Sequence, residues 1–398
     1  MGRLNKMLYN YVFFTTFPVI IIIQNLSFYF FPFLVSELYR KRNLLFKNMN
    51  RVDLFAIMFA IGAILSVLMS LLSPVENSFT KGIAVLPNYL YWIFLVLLFS
   101  FNAIQLDYKV IYKAAFWGVT ISTIYFYTIS EALGNASAFF IGLQQNMYSF
   151  ILICFAPMLV FYVQEKWGQS RAVIASILVV LAGTLSGSRS GSILTILTCF
   201  LTLYSNRLNI LRIGLIAALL FTGYLSMNLP VVKDTVFQLN ERTYSLIYET
   251  ETTLAEDESY LVRLAQVEKG LGLFSENPFF GIGLNNFNSR SYNIEGKFEG
   301  FERLTGVDNL DQLSSHNSYI NVLAEGGLFL FIPFVGLLLS FFLYFITKFK
   351  SIPDFQKPFF WGLLGMAIHF YFIFALVNVF AWLLMALVAS AIKYNSQK

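Results

Sequence analysis

Charge is what this chain has least of. Asp, Glu, Lys and Arg make up 12% of its 398 residues, against about 25% in soluble domains. With 57% hydrophobic and 18% aromatic residues, that scarcity excludes an ordinary water-soluble globule. Cysteine is nearly missing: Cys154 and Cys199 both lie inside apolar runs, which gives no disulfide framework and no thiolate metal site. Both read as small core residues. Histidine is equally scarce, and His316 and His369 with two buried-run cysteines cannot make a zinc site. No metal is expected. No P-loop, dinucleotide fingerprint or serine-hydrolase elbow occurs. No cofactor is expected either, and energy for a synthetic reaction would come from an already activated substrate. Internal repeats and low-complexity tails are also missing.

What is present is a series of apolar runs near the length that crosses a hydrocarbon core of about 30 Å. One could be a signal peptide, but ten or more cannot. The first lacks a signal-peptidase site and is expected to be retained. The runs predict an all-α, polytopic membrane protein, 1–398 forming a single transmembrane domain. About twelve spans are expected, at 8–24, 25–39, 53–72, 84–103, 110–130, 146–163, 172–187, 190–205, 211–228, 318–346, 359–376 and 378–392. The weakest divisions fall at Asn25, at Asn378 and near Gly187–Gly191.

Orientation follows from Lys and Arg, which stay inside. The stretch 40–51 holds five basic residues, and alternating from it puts both termini inside. On that count 18 of 27 Lys and Arg are cytoplasmic. The outer remainder is Lys81, Arg189 and seven residues of one long loop, 229–317. This loop has 14 acidic residues against those 7 basic ones. Such a surface suits neither nucleic acid nor the anionic inner leaflet. A loop so long is uncommon unless functional. Within it, Leu261, Leu264, Val267 and Leu271 recur at helical spacing, with Gln266 and Lys269 opposite. That pattern predicts an amphipathic helix on the membrane face, stopped at Asn277–Pro278. The stretch 288–312 reads as a polar flap.

Several residues carry more than folding. Arg189 sits in SGSRSGS at an outer turn, beside Ser188 and Ser190. A charge at the bilayer is expensive and usually functional, and the small residues allow close approach to an oxygen-rich anion such as phosphate. The plainer reading is a polar turn whose Arg snorkels to water. Arg263 lies in the loop helix with no acid three or four residues away. It is either a surface Arg held by another loop carboxylate or one half of a two-guanidinium clamp on a pyrophosphate. Neither Arg serves as a base. His316 stands where the loop re-enters the membrane, and a neutral imidazole accepts protons near neutral pH. The plainer reading is that it caps the tenth span, a role open also to Asn317. Glu325, nine residues on and half a turn off the His316 face, needs an internal partner, for which Arg189 is one candidate. His369, mid-span, reads mainly as a satisfied core group. The acidic run 256–258 reads as surface charge.

Three segments, in order, resemble the O-antigen ligase/polymerase family of bacterial envelope glycan membrane proteins. They are SGSRSG at 186–191, R-x6-GLGLF-x3-PFFGIG at 263–283, and HNSYINVLAEGG at 316–327. Tyr319 and Ile320 depart from that family's commoner pattern. The resemblance implies a glycosyltransferase that takes a glycan from a polyprenyl pyrophosphate at the outer face of the bacterial inner membrane. It implies inversion, and need of neither nucleotide sugar nor metal. Arg189 and Arg263 would bind the pyrophosphate, and His316 would orient or deprotonate the acceptor hydroxyl. Ser188, Ser190, Asn317 and Glu325 would complete the substrate site. The lipid-linked glycan, an acceptor glycan and the bilayer are the implied partners, with flippase and chain-length regulator proteins beside them and no nucleic acid.

Polymerase and ligase differ only in the acceptor. The polar residues of 284–312, among them Asn285, Asn286, Asn288 and Ser289, suit sugar hydroxyls. The acidic loop would repel a phosphorylated lipid A core, which favours a polymerase of O-antigen, capsule or exopolysaccharide units over an O-antigen ligase. A transporter of envelope precursors and a non-catalytic scaffold are the rival classes. A transporter tends to show repeats and broken spans in matching halves, and neither is evident.

Overall fold

In the computed structural model the described residues are 2–17, 31–37, 49–72, 77–130, 145–186, 188–204, 258–291, 315–376 and 378–397. Among them the structure is all helix and turn. The helices are α1 (Arg3–Thr16), α2 (Arg51–Met69), α3 (Ser78–Phe101), α4 (Tyr108–Tyr125), α5 (Gln145–Trp167), α6 (Gln169–Leu185), α7 (Arg189–Tyr204), α8 (Glu258–Glu276), α9 (Ser318–Lys348), α10 (Lys357–His369) and α11 (Val379–Ser396). Residues 31–37 are also helical. The expected span 211–228 lies outside the described residues.

Five of the helical stretches are long and apolar enough to cross a membrane: Arg51–Leu72, Ser78–Phe101, Asn146–Trp167, Ser318–Lys348 and Val379–Ser396. Gln169–Leu185 and Ser190–Tyr204 are shorter apolar helices. Lipid offers the backbone no hydrogen-bond partner, so a spanning segment must satisfy its own N–H and C=O groups, as a helix does. The chain is a multi-pass, all-α membrane protein. Leu68, Ile174, Ile177, Leu178, Leu185, Ile193 and Ile346 remain exposed on helix surfaces, as lipid-facing residues do. The segment read as a span at 359–376 stops sooner. Helix α10 ends at His369, and 370–376 runs as turns.

The helix ends gather into two groups. One holds the starts of α1, α2, α4 and α10 and the end of α11. There Asn5 donates to Asp107 at 3.0 Å, and Asn395 to Gln356 at 2.7 Å. A cavity at this end is lined by Lys109, Lys166 and Tyr394, among others. A buried ion pair fastens it. Asp53 meets Lys393 at 3.3 Å, with both side chains at most 2% exposed. Its carboxylate also accepts from Ser100 Oγ and the Asn50 N–H, so the charge is not left unpaired in a dry interior. The Asn50 bond belongs to a capping box that starts α2.

The opposite end holds the starts of α3, α5, α7, α9 and α11. Its main feature is a break in α9. Gly327 has φ 59°, a backbone that L side chains rarely adopt. The N–H groups freed by the break are taken by the turn after α8. Leu328 N–H donates to the Pro278 carbonyl at 2.8 Å and Phe329 N–H to Phe279 at 3.0 Å. The turn answers in kind, with Ile282 N–H donating to Ala324 and Gly283 N–H to the Glu325 carbonyl, both at 3.0 Å. The Glu325 carboxylate completes the join by accepting from Asn285 N–H at 2.8 Å and Phe287 N–H at 3.0 Å. Ser66 Oγ of α2 donates to the Glu325 carbonyl at 2.7 Å. The turn is thus fixed to α9 by six hydrogen bonds, four of them between backbones, and α8 is carried with it.

Two substitutions test this join. Gly327→Ala puts a Cβ about 2.4 Å from the Phe279 carbonyl carbon in a strained backbone, and is expected to abolish the folded protein. Glu325→Ala strands the buried N–H of Phe287 at ~1–3 kcal/mol and removes the bond that holds Asn285. Limited proteolysis in membranes should then cut within 277–290 far faster than in the parent chain. Unchanged protection of that turn in Glu325→Ala would contradict the assignment.

Candidate functional site

The site is built on the second group of helix ends. Asn317 caps α9, its Oδ1 accepting from Tyr319 N–H at 3.0 Å and Ile320 N–H at 3.1 Å. Its own N–H donates to Ser315 Oγ. The buried Asn317 side chain is therefore engaged as a cap. The preceding His316 is held from the other side, its backbone N–H donating to Gln266 Oε1 of α8 at 3.1 Å. Sequence spacing put Gln266 on the outward face of that helix. The structure corrects this: Gln266 and Lys269 are buried at 1% and 0%, while Leu271 is 43% exposed. The reason is local. Gln266 satisfies the start of α9, and Lys269 Nζ lies 5.1 Å over the Phe287 ring. Both polar groups find partners inside, so the helix docks by a mixed face.

Arg263 is half-buried on α8. Its positive charge acts on two imidazoles, those of His316 and His369. The pKa of His316 is lowered from its ordinary value, first by burial against its neighbours and then by Arg263, although part of the residue remains solvent-accessible. Neutral imidazole is the form this environment favours at neutral pH.

His369 arrives by a different route. Ser318, the first residue of α9, donates its N–H to Phe370 O at 2.8 Å and its Oγ to Ile373 O at 2.7 Å, and accepts from Ala375 N–H. These bonds tie the unwound end of α10 to the start of α9, two residues from His316. The His369 ring packs on Phe150 of α5 at 5.5 Å between centroids. One residue back, Ser149 lies against the start of α7: a Cβ built on Gly191 would stand 2.3 Å from Ser149 Cβ and 2.8 Å from Ser188 Oγ. Arg189 begins α7 at this place, and its side chain lies outside the description. Ser190 follows in the first turn, half-buried. Ser188 is buried, and among the described residues its Oγ has no hydrogen-bond partner.

The structure therefore brings Arg263, His316, Asn317 and His369 together, and links them through α5 to Ser188 and the start of α7. Glu325 stands apart. It is buried, and its carboxylate accepts from the backbone N–H groups of Asn285 and Phe287; the Arg189 side chain, one candidate partner, lies outside the description. Asn286, read from sequence as a sugar-binding candidate, is also buried, its Nδ2 donating to the carbonyls of Ser78 and Leu284. Asn285 and Asn288 are exposed, and 292–312 lies outside the described residues. Among the described residues no group of three or more His, Cys, Asp and Glu is placed to hold a metal. Sequence reasoning read His369 mainly as a core group, put Gln266 on the outward face and gave no part to Ser149. The only signal for His369 was its rarity.

The whole arrangement falls within, or just beside, one matched region. Residues 172–335 match a family model described as O-antigen ligase, a region that contains all three motif segments and leaves out α10 and α11. No curated protein matches the chain. The match, on the helices and turns just described, makes this region similar to the O-antigen ligase/polymerase family of envelope glycan proteins.

Proposed function

We propose that the chain transfers a glycan from a polyprenyl pyrophosphate to an acceptor hydroxyl, with inversion and without a metal or cofactor. The reaction takes place at the outer face of the bacterial inner membrane. On this reading about twelve spans place both termini inside and the 229–317 loop outside. The carrying observation is the docking of α8 on the start of α9, where Gln266, one turn from Arg263, takes the His316 N–H at 3.1 Å, at the bundle end where α7 begins with Arg189. The helix ends support the orientation: the short segments expected inside, around Arg3, Lys109, Lys166 and Lys393, meet at the opposite end of the bundle.

In the proposed reaction the acceptor oxygen attacks the anomeric carbon. Its proton passes to His316, and the bond from carbon to the pyrophosphate oxygen breaks, with the electron pair leaving on the polyprenyl pyrophosphate. A single displacement inverts the centre. The leaving group already delocalises its charge, so no strong acid is needed. Arg189 and Arg263 aimed at the departing oxygens stabilise the transition state more than the ground state. Glu325 belongs to the frame of the site and not to its substrate surface. Flippase and chain-length regulator proteins are the partners such a reaction calls for.

Two acceptors fit this donor chemistry. The family match is described as O-antigen ligase, which favours a lipid A core acceptor, and we take the ligase as the first reading. The acidic excess of 229–317, 14 acidic residues against 7 basic, favours the polymerase as the second. Purified protein given only a lipid-linked repeat unit should leave it unextended and turn over when lipid A core is added. A ladder of products from the repeat unit alone would establish the polymerase instead.

The donor residues and the base have separate signatures. Arg189→Ala and Arg263→Ala should each weaken donor binding and lower the rate together. Lys at either position should restore only part, because a point charge lacks the guanidinium fork. Unchanged donor affinity in both alanine variants would refute the clamp. A base with a lowered pKa is deprotonated at neutral pH. The rate should therefore be flat through neutrality and fall in acid, with an apparent pKa below ~6.5. His316→Ala should remove that acid limb and slow turnover by roughly 10²–10⁴. An acid limb that persists in His316→Ala would assign it to another group.

A further inference from the structure

Two buried polar side chains near the starts of α7 and α9, Ser188 and His369, have no part in the proposed chemistry. His369 is 0% exposed, Ser188 3%. Among the described residues neither imidazole nitrogen nor the Ser188 hydroxyl has a hydrogen-bond partner at bonding geometry. The backbone of Asn146 also acts on the His369 imidazole. A buried polar group left unmet is destabilising, and these two stand out by their place beside the residues of the proposed site.

His369 ends α10 where Ser318 ties it to the start of α9. It packs on Phe150, next to Ser149, which touches Gly191 and so lies beside Ser188. The pair thus lies between the start of α9 and the first turn of α7. Helices α5, α7 and α9 all start at this end, bringing unpaired N–H groups and positive dipole ends. The negative end of α10 opposes them, one terminus against three. A neutral imidazole has one N–H to donate and a serine one O–H. Two neutral donors beside an arginine, with helix N-termini around them, are complementary to an oxyanion.

We propose that His369 and Ser188 form the inner wall of the donor site and donate to phosphate oxygens of the polyprenyl pyrophosphate, between the two arginines. This rests on the donor assigned above. It adds that the anion is held by neutral donors as well as cations. His369 is then a substrate-contact residue and no proton carrier.

The test uses the full chain in lipid nanodiscs, titrated with a polyprenyl pyrophosphate and with the same lipid as its uncharged alcohol. His369→Phe keeps a ring against Phe150 but removes the N–H, and should weaken pyrophosphate binding by about tenfold or more. His369→Gln retains a donor and should stay within about threefold of the parent. Binding of the alcohol should not change in either. If Arg263→Ala weakens the pyrophosphate lipid and His369→Phe leaves it unchanged, this inference is overturned while the donor reading stands. Equal binding of the pyrophosphate and the alcohol by the parent chain overturns both. Should His369→Phe fail to fold, Ser188→Ala decides: weakening by about threefold or more supports the inference, and an unchanged affinity overturns it.

Discussion

The arrangement depends on one join, between the break in α9 at Gly327 and the turn that follows α8. A helix broken within a membrane protein must find partners for the backbone groups it frees. Here those partners are the carbonyls of Pro278 and Phe279, and the turn's own N–H groups are returned to Ala324 and Glu325. Neither half is complete alone. The exchange fixes α8, which has little apolar surface to spare, onto α9. Gln266 then reaches the His316 backbone, and Arg263 comes near both imidazoles.

Seen this way, two of the three family-like segments have a structural part distinct from any substrate. PFFGIG and AEGG are the two sides of the join. Their glycines serve backbone approach: a Cβ on Gly281 would fall 2.3 Å from the Glu325 carbonyl carbon. Glu325 resembles a catalytic carboxylate in sequence because it is a lone acid in an apolar run. Its two bonds to N–H groups of 285 and 287 make it instead the clasp of a loop. The opposite end uses the same economy of charge, with Asp53 and Lys393 neutralised against each other inside the bundle.

Much of the fold class was legible in the sequence. Charge scarcity and apolar runs gave an all-α membrane protein, and the spacing from Leu261 to Leu271 gave a helix where α8 stands. Asn317 was readable as a cap. The face by which α8 docks was not, because Gln266 and Lys269 are stabilised by groups about 50 and 18 positions away, beyond what periodicity samples. The partner of Glu325 was missed because charge complementarity points to arginine, and backbone N–H groups leave no mark in a sequence. His369 was read as a satisfied core residue. Its position near Arg263 follows from where α10 ends, which the Ser318 bonds set and no local signal predicts.

The central claim is that α8 rides on α9 as one rigid piece during turnover. Gly270 and Ile320 meet at its closest contact, where a Cβ on Gly270 would lie 2.1 Å from Ile320 Cγ2. Replacing both with cysteine removes the obstructing methyl and sets two thiols face to face, while Cys154 and Cys199 stay buried. Mild oxidation of Gly270→Cys/Ile320→Cys in membranes should close a disulfide and leave glycan transfer at the rate of the reduced form. Thiols that do not join, or a disulfide that stops transfer and releases it on reduction, would contradict a fixed α8.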